Sequence, residues 1–210
     1  MEWIIVYPLL VFSVIFHEVA HGLVALRQGD DTALNSGRLT LNPLPHLDLV
    51  GSIIFPILCV LMKFPAFGWA KPVPVNPNNF KNFRLGTILV SLAGPMANLL
   101  IAVSLVVVLY FFGIQQSLIQ NFPFVPRIFS ELIILNLVLA VFNLFPIPPL
   151  DGSRVVAMVL PPSLAVKYAA IERYGFFIIM GLMFFGVFGR ILYPIVEILF
   201  QFLMKLSGVN

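Results

Sequence analysis

Cysteine and charge are what this chain has least of. Its one thiol, Cys59, excludes an internal disulfide framework and a cysteine-rich metal site, and reads as a small apolar residue. Charged residues make up 10% of the 210, where a soluble domain carries about 25%. An ordinary soluble domain is therefore excluded. No basic cluster interleaved with aromatics occurs, so the net charge of +3 gives no support for a nucleic-acid partner. It fits lysine and arginine retained at a cytoplasmic membrane face. Internal repeats, low-complexity tracts and a soluble appendage are also missing, so residues 1–210 read as a single membrane-embedded domain. No basic stretch precedes the first apolar run, which therefore reads as a spanning helix and not as a signal peptide.

Apolar residues are plentiful, at 60% of the chain. A crossing needs roughly 20 of them in a row. Five segments are candidates: Trp3–Leu26, Leu85–Phe112, Ile128–Phe145 and two shorter ones, Tyr174–Phe188 and Ile191–Leu206. Gly189 and Arg190 separate the last two, which could instead form one interrupted hairpin. The expected fold is an α-helical polytopic membrane protein with about five (five to six) transmembrane helices. Within the region from Arg27 to Arg84 lies a 13-residue apolar stretch, Gly51–Lys63, too short to cross and suited to a re-entrant or interfacial segment. Its flanks, SGRLTLN and GWAKPVPVNP, read as short extended pieces.

The first span holds His17-Glu18-Val19-Ala20-His21, an HExxH pattern. Residues i and i+4 share a helix face, so both imidazoles can reach one metal ion. Zinc accepts imidazole ligands and, in catalytic sites, keeps one position open. Glu18 lies beside the pair and can act as general base on a water, then as proton donor to a leaving amine. The alternative is a pair of packed histidines with a snorkelling glutamate, which intramembrane ionisable residues seldom are. A third ligand must come from elsewhere. Asp30 and Asp31 sit in a polar turn, and Glu2, Glu131, Glu172 and Glu197 lie near segment ends. Asp151 follows a proline-broken run, NLFPIPPLDG, and irregular backbone at membrane depth is tolerated only against protein or a wet cavity. It is a credible ligand, or else an N-cap for the segment that follows.

Together, HEVAH, AGPMAN at Ala93–Asn98 and NLFPIPPLDG at Asn143–Gly152 resemble the site-2 protease family of intramembrane zinc metalloproteases, in the family's own order. LNPLPHLDLVGS and GWAKPVPVNP resemble the loop after the zinc-binding helix in short prokaryotic members, which lack PDZ and CBS domains. The resemblance implies one Zn2+ per chain held by His17, His21 and Asp151, with Glu18 as catalytic base. It implies that Asn143 helps to hold substrate or the developing oxyanion, a role suited to an amide donor. It also favours a place near the site for His46 and Asp48, whose bland reading is ordinary loop polarity. Asn98, mid-span, is as well explained by interhelical hydrogen bonding as by a role in the site.

If His17, His21 and Asp151 share one ion, the first and third spans must run in the same direction. Gly51–Lys63 then cannot cross. Under that topology ten of the twelve lysines and arginines fall on one side and only Arg127 and Arg190 on the other. Letting the short segment cross weakens the split to eight against four. The positive-inside rule then places the N-terminus outside, the C-terminus in the cytoplasm and the metal nearer the cytoplasmic face of the cell membrane. The expected activity is hydrolysis of peptide bonds in or near transmembrane segments of membrane-protein substrates. The competing reading is a metal-ion or proton transporter built on the same His, Asp and Glu residues. It predicts titratable groups spread over several spans and inverted repeats. Here those groups cluster at one locus.

Overall fold

The computed structural model describes residues 3–62, 70–111 and 124–207. They are overwhelmingly helical, with no β-strand among them. Among the described residues four helices are long and apolar enough to cross a membrane: α1 (Trp3–Gln28), α4 (Phe83–Phe111), α5 (Phe124–Asn143) and α9 (Val187–Ser207). Their apolar windows of 20 to 28 residues cover about 30–42 Å at 1.5 Å per residue, enough for the hydrocarbon layer. The remaining helices are short: α2 (Thr32–Asn35), α3 (Phe55–Leu61), α6 (Asp151–Val159), α7 (Pro162–Ala169) and α8 (Glu172–Phe184).

Polarity is inverted relative to a soluble protein. Large apolar side chains such as Leu100, Tyr110, Phe177 and Phe202 point outward, while Ser13, His17, His21, Asn98 and Asn136 are buried. Lipid is as apolar as leucine, so burial of apolar surface cannot hold the helices together. Close packing and interhelical hydrogen bonds do so instead. Helix α4 is the central element, packed against α1, α5 and α6. Ala102, Val106, Leu109, Ile133, Leu137, Val141 and Val196 form the main core, shared by α4, α5 and α9.

The packing fixes helix directions. Val6 at the start of α1 meets Ile128 and Leu132 at the start of α5, so these two helices run parallel. Phe188, at the start of α9, stacks against Phe142 and Phe145 at the end of α5, with ring centroids 5.2 and 5.1 Å apart. At the other end of α9, Leu203 and Leu206 lie beside Val107 and Tyr110 near the end of α4. Helix α9 therefore runs antiparallel to α5, and its end lies on the same side of the bundle as the start of α1. This corrects the expectation of termini on opposite sides. The fourth expected crossing, Tyr174–Phe188, becomes the 13-residue α8, about 20 Å long and too short to traverse the bilayer. Its apolar composition matches that of a spanning helix, and only its length separates them.

Helix α1 stops at Gly29, whose φ of 106° is available to glycine at little cost. Asp30 N–H reaches Ala25 C=O at 3.0 Å and Gly29 N–H reaches Leu26 C=O at 3.1 Å, a Schellman closure. Beyond it, residues 49–61 form a π-turn (Leu49–Ile54) followed by α3. This is the segment expected to be re-entrant; the end of that stretch at Lys63 lies outside the described residues. Lys71 N–H donates to His46 C=O at 2.9 Å, tying together the chain before and after it. Between those ends, Tyr7 near the start of α1 donates its hydroxyl to Ser52 C=O at 2.8 Å. The segment thus enters and leaves at one end of the bundle and reaches toward the other.

Neither flank of that segment forms a β-ladder. In Ala70–Asn76 the backbone donors are taken elsewhere: Lys71 N–H by His46 C=O, Val73 N–H by Glu18 and Asn76 N–H by Asp30. Gly68 and Trp69 of the second flank lie outside the described residues.

Candidate metal centre

One helical turn separates His17 from His21 on the buried face of α1, and their Nε2 atoms are 3.0 Å apart. Asp151 is the first residue of α6. It is delivered by a compact turn in which Ile147 N–H bonds Phe145 C=O and Leu150 N–H bonds Ile147 C=O, both at 2.9 Å. Its Oδ2 lies 3.2 Å from His17 Nε2 and 3.3 Å from His21 Nε2. The start of a helix also favours a carboxylate, through the unpaired N–H groups there. The two histidines and the aspartate, which the sequence could relate only by their chemistry, are thus brought into one group whose ligand atoms all lie within 4.8 Å.

The proton inventory of this group is informative. His17 Nδ1 faces Asn98 Oδ1 at 2.6 Å, and His21 Nδ1 faces Val90 C=O at 2.6 Å. Both partners only accept, so in the neutral imidazoles both Nδ1 atoms carry the proton. The two Nε2 lone pairs and the Asp151 carboxylate then converge on one another with no proton between them. In keeping with this, Asp151 Oδ2 is buried without a hydrogen-bond donor. Three converging lone pairs repel unless a cation lies among them. Tetrahedral zinc with ligand bonds of about 2.0–2.1 Å places its ligand atoms about 3.3–3.4 Å apart. The observed edges of 3.0, 3.2 and 3.3 Å fit that shape, and two imidazoles with one carboxylate are ligand types that zinc accepts.

Gly94 faces the same space from α4. A Cβ on it would overlap His17 Nε2 and His21 Nε2. Its neighbour Pro95 has no N–H to give to Ser91 C=O one turn earlier in α4. The glycine therefore serves close approach as well as the helix packing expected of small residues.

Glu18 projects from α1 beside the histidines, where its Oε2 accepts Val73 N–H at 2.8 Å. Its charge lies within Coulombic reach of His21. The segment that holds it is itself clamped twice. Arg38 donates to Lys71 C=O at 2.6 Å and to Pro72 C=O at 3.2 Å. Asp30, fully buried just beyond α1, accepts Asn76 N–H at 2.7 Å and the Asn79 amide at 2.8 Å, and also bonds Thr32. Burial alone would raise the Asp30 carboxyl. The hydrogen bonds from Thr32, Asn76 and Asn79 outweigh it and hold the group below the usual carboxylate range.

The other expected site residues divide. Asn98 contacts the centre directly, through His17. Asn143 ends α5, with its amide donating to Leu139 C=O at 2.9 Å. His46 is buried in the loop and donates Nε2–H to Thr40 C=O at 2.9 Å. Asp48 caps the π-turn by accepting Gly51 N–H at 2.6 Å. Neither belongs to the three-ligand group. Sequence reasoning overlooked Asn136 and Ser13, which bond to each other behind Asn98. The signal for Asn136 was the one used for Asn98, a lone amide inside an apolar span. Val90 and Val73 act through backbone atoms and leave no mark in the side-chain pattern.

Apolar helices of spanning length around a buried group of two imidazoles and a carboxylate define a multi-pass membrane protein with a candidate metal centre. Comparison with known proteins narrows the class. The model of Peptidase family M50 matches residues 124–185. The chain is 40% identical over 209 residues to "Putative zinc metalloprotease YwhC" of Bacillus subtilis, covering 94% of this chain and 92% of that protein. It is 30% identical over 201 residues to "Putative zinc metalloprotease Rip2" of Mycolicibacterium smegmatis, covering 94% and 72%. It is 27% identical over 158 residues to "Zinc metalloprotease MJ0392" of Methanocaldococcus jannaschii, covering 75% of this chain and 35% of that one. No solved structure matches. The chain belongs to Peptidase family M50, the metalloprotease family that its motifs resemble.

Proposed function

We propose that this protein is a zinc-dependent intramembrane endopeptidase of the cell membrane that cleaves peptide bonds in or near transmembrane segments of other membrane proteins. The observation that carries the reading is the convergence of His17 Nε2, His21 Nε2 and Asp151 Oδ2 within 3.3 Å of one another, beside a carboxylate. These three residues would hold one Zn2+. When bound, the ion supplies Lewis acidity, polarising the scissile carbonyl and lowering the pKa of water. Glu18 is the proton carrier. With Oε2 fixed by Val73 N–H, its carboxylate takes a proton from the attacking water and returns it to the departing amine. Helix α1, with its buried His17 and His21, brings that chemistry into the bilayer, where a substrate's own spanning segment lies. The bias of basic residues supports an N-terminus outside the cell and a centre nearer the cytoplasmic face.

The test is cleavage of a model single-span substrate by purified protein in detergent or liposomes. Glu18→Gln should lower the rate by at least about 100-fold while zinc content stays at one per chain. His17→Ala and Asp151→Ala should lose both zinc and activity. Equal cleavage by wild type and Glu18→Gln would sink the mechanism. Full zinc in Asp151→Ala would remove that residue from the ligand set.

A further inference from the structure

Behind His17 lies a run of buried polar groups that crosses three helices. Asn98 on α4 donates Nδ2–H to Asn136 Oδ1 on α5 at 3.1 Å, and Asn136 donates Nδ2–H to Ser13 Oγ on α1 at 3.1 Å and to Leu132 C=O at 2.9 Å. Ser13 in turn donates to Leu9 C=O at 3.1 Å. Asn98 and Asn136 are 0% and 1% exposed. In a site that excludes both water and lipid, an unmet polar group is costly.

The direction of this run is forced link by link. Leu9 C=O only accepts, so Ser13 Oγ donates there and offers its lone pair to Asn136. Leu132 C=O also only accepts. Both it and Ser13 Oγ therefore face the Asn136 amide nitrogen, which turns Oδ1 toward α4. That oxygen only accepts, so the Asn98 atom facing it is the nitrogen, and Asn98 Oδ1 is left facing His17 Nδ1 at 2.6 Å. The imidazole must then carry its proton on Nδ1 and present a bare Nε2. His21 obtains the same tautomer from a single backbone carbonyl, that of Val90, which cannot turn around. His17 depends instead on an amide that could rotate if nothing held it.

We infer that Asn136, with Ser13 behind it, is a positioning residue. It fixes the orientation of the Asn98 amide and thereby the tautomer of His17, so that Nε2 is ready to ligate a metal. The inference rests on the reading of His17 as a ligand, but its first readout does not require metal. In metal-free protein with 15N-labelled histidine, His17 should give the spectrum of an Nδ1–H imidazole, assigned by its loss in His17→Ala. Asn136→Leu removes the nearer acceptor of the Asn98 amide nitrogen, at 3.1 Å, and leaves only the longer contact to Ser13 C=O at 3.4 Å. It should produce a mixture of tautomers and weaken zinc binding by about 10–100-fold in competition with a chelator, the range typical for groups that orient metal ligands.

A second substitution separates this role from plain packing. In Asn98→Asp either carboxylate oxygen accepts from His17 Nδ1, so the tautomer no longer depends on amide orientation. In that background Asn136→Leu should change zinc affinity less than about twofold. A wild-type tautomer and affinity in Asn136→Leu would overturn the inference. So would an effect of undiminished size on the Asn98→Asp background. If Asn136→Leu does not fold, Asn136→Ala replaces it. A shift of the His17 tautomer is expected there, and none would overturn the inference. Wild-type protein that binds no zinc but shows the Nδ1–H imidazole would count against the proposed function alone.

Discussion

A single missing methyl group makes room for the centre. Gly94 is placed so that any Cβ would intrude on the Nε2 atoms of His17 and His21, and Gly94→Ala tests this with a residue that favours the helix. Alanine in a helix interior is favoured over glycine by about 0.5–1 kcal/mol, so α4 itself should gain stability. The expected result is a loss of zinc affinity of at least about tenfold, read by metal analysis, while the propensity gain of α4 offsets part of the cost of crowding the imidazoles in thermal unfolding of the same sample. Full zinc occupancy would show that the imidazoles can move aside. At this scale the sequence is legible where chemistry is concentrated in side chains. His17, Glu18, His21 and Asp151 announce themselves as ionisable groups in apolar surroundings. Val90 and Val73 do not, since a peptide group is the same beneath every side chain. Asn136 was legible in principle, its amide being as conspicuous in α5 as Asn98 is in α4.

At the scale of elements, Glu18 is only as well placed as Ala70–Asn76, and that segment depends on Arg38 and Asp30. The folded-state pKa of Asp30 lies below its ordinary value of 3.8. A depressed carboxyl contributes stability that is present above the unfolded pKa and lost as pH falls through the folded one. Asp30→Asn should therefore lower the apparent melting temperature by about 2–4 °C at neutral pH. The difference from wild type should shrink progressively once the pH drops below about 4. A difference that persists unchanged at lower pH would mean that the side chain's shape, and not its charge, holds the loop. Helix positions were readable from apolar runs, but the conformation of this loop was not. Its flanks read as short extended pieces, and nothing local reveals that their N–H groups are claimed by Glu18 and Asp30, far away in sequence.

At the scale of the whole molecule, packing decides what hydropathy leaves open. Counting apolar segments suggested five crossings. Among the described residues there are four, and the contacts of Phe188 with α5 and of Leu203 and Leu206 with α4 put the start of α1 and the end of α9 on one side. The charge bias is insensitive to the change. Arg190 moves to the basic side as Lys205 leaves it, and the division remains ten against two. A reporter pair fused after Asn210 distinguishes the arrangements. Alkaline phosphatase should be active there and a fluorescent protein dark. The reverse would return the C-terminus to the cytoplasm and require α8 to cross.

The centre also carries a constraint on timing. Its imidazoles lie in α1, while its carboxylate arrives 130 residues after His21. A ribosome delivers the chain from the N-terminus, so the histidines wait in the membrane through the synthesis and insertion of α4 and α5. Until Asp151 emerges, no growing chain can possess the complete cradle, whatever metal the cell supplies. The order of its residues alone keeps the centre incomplete until its third ligand is made.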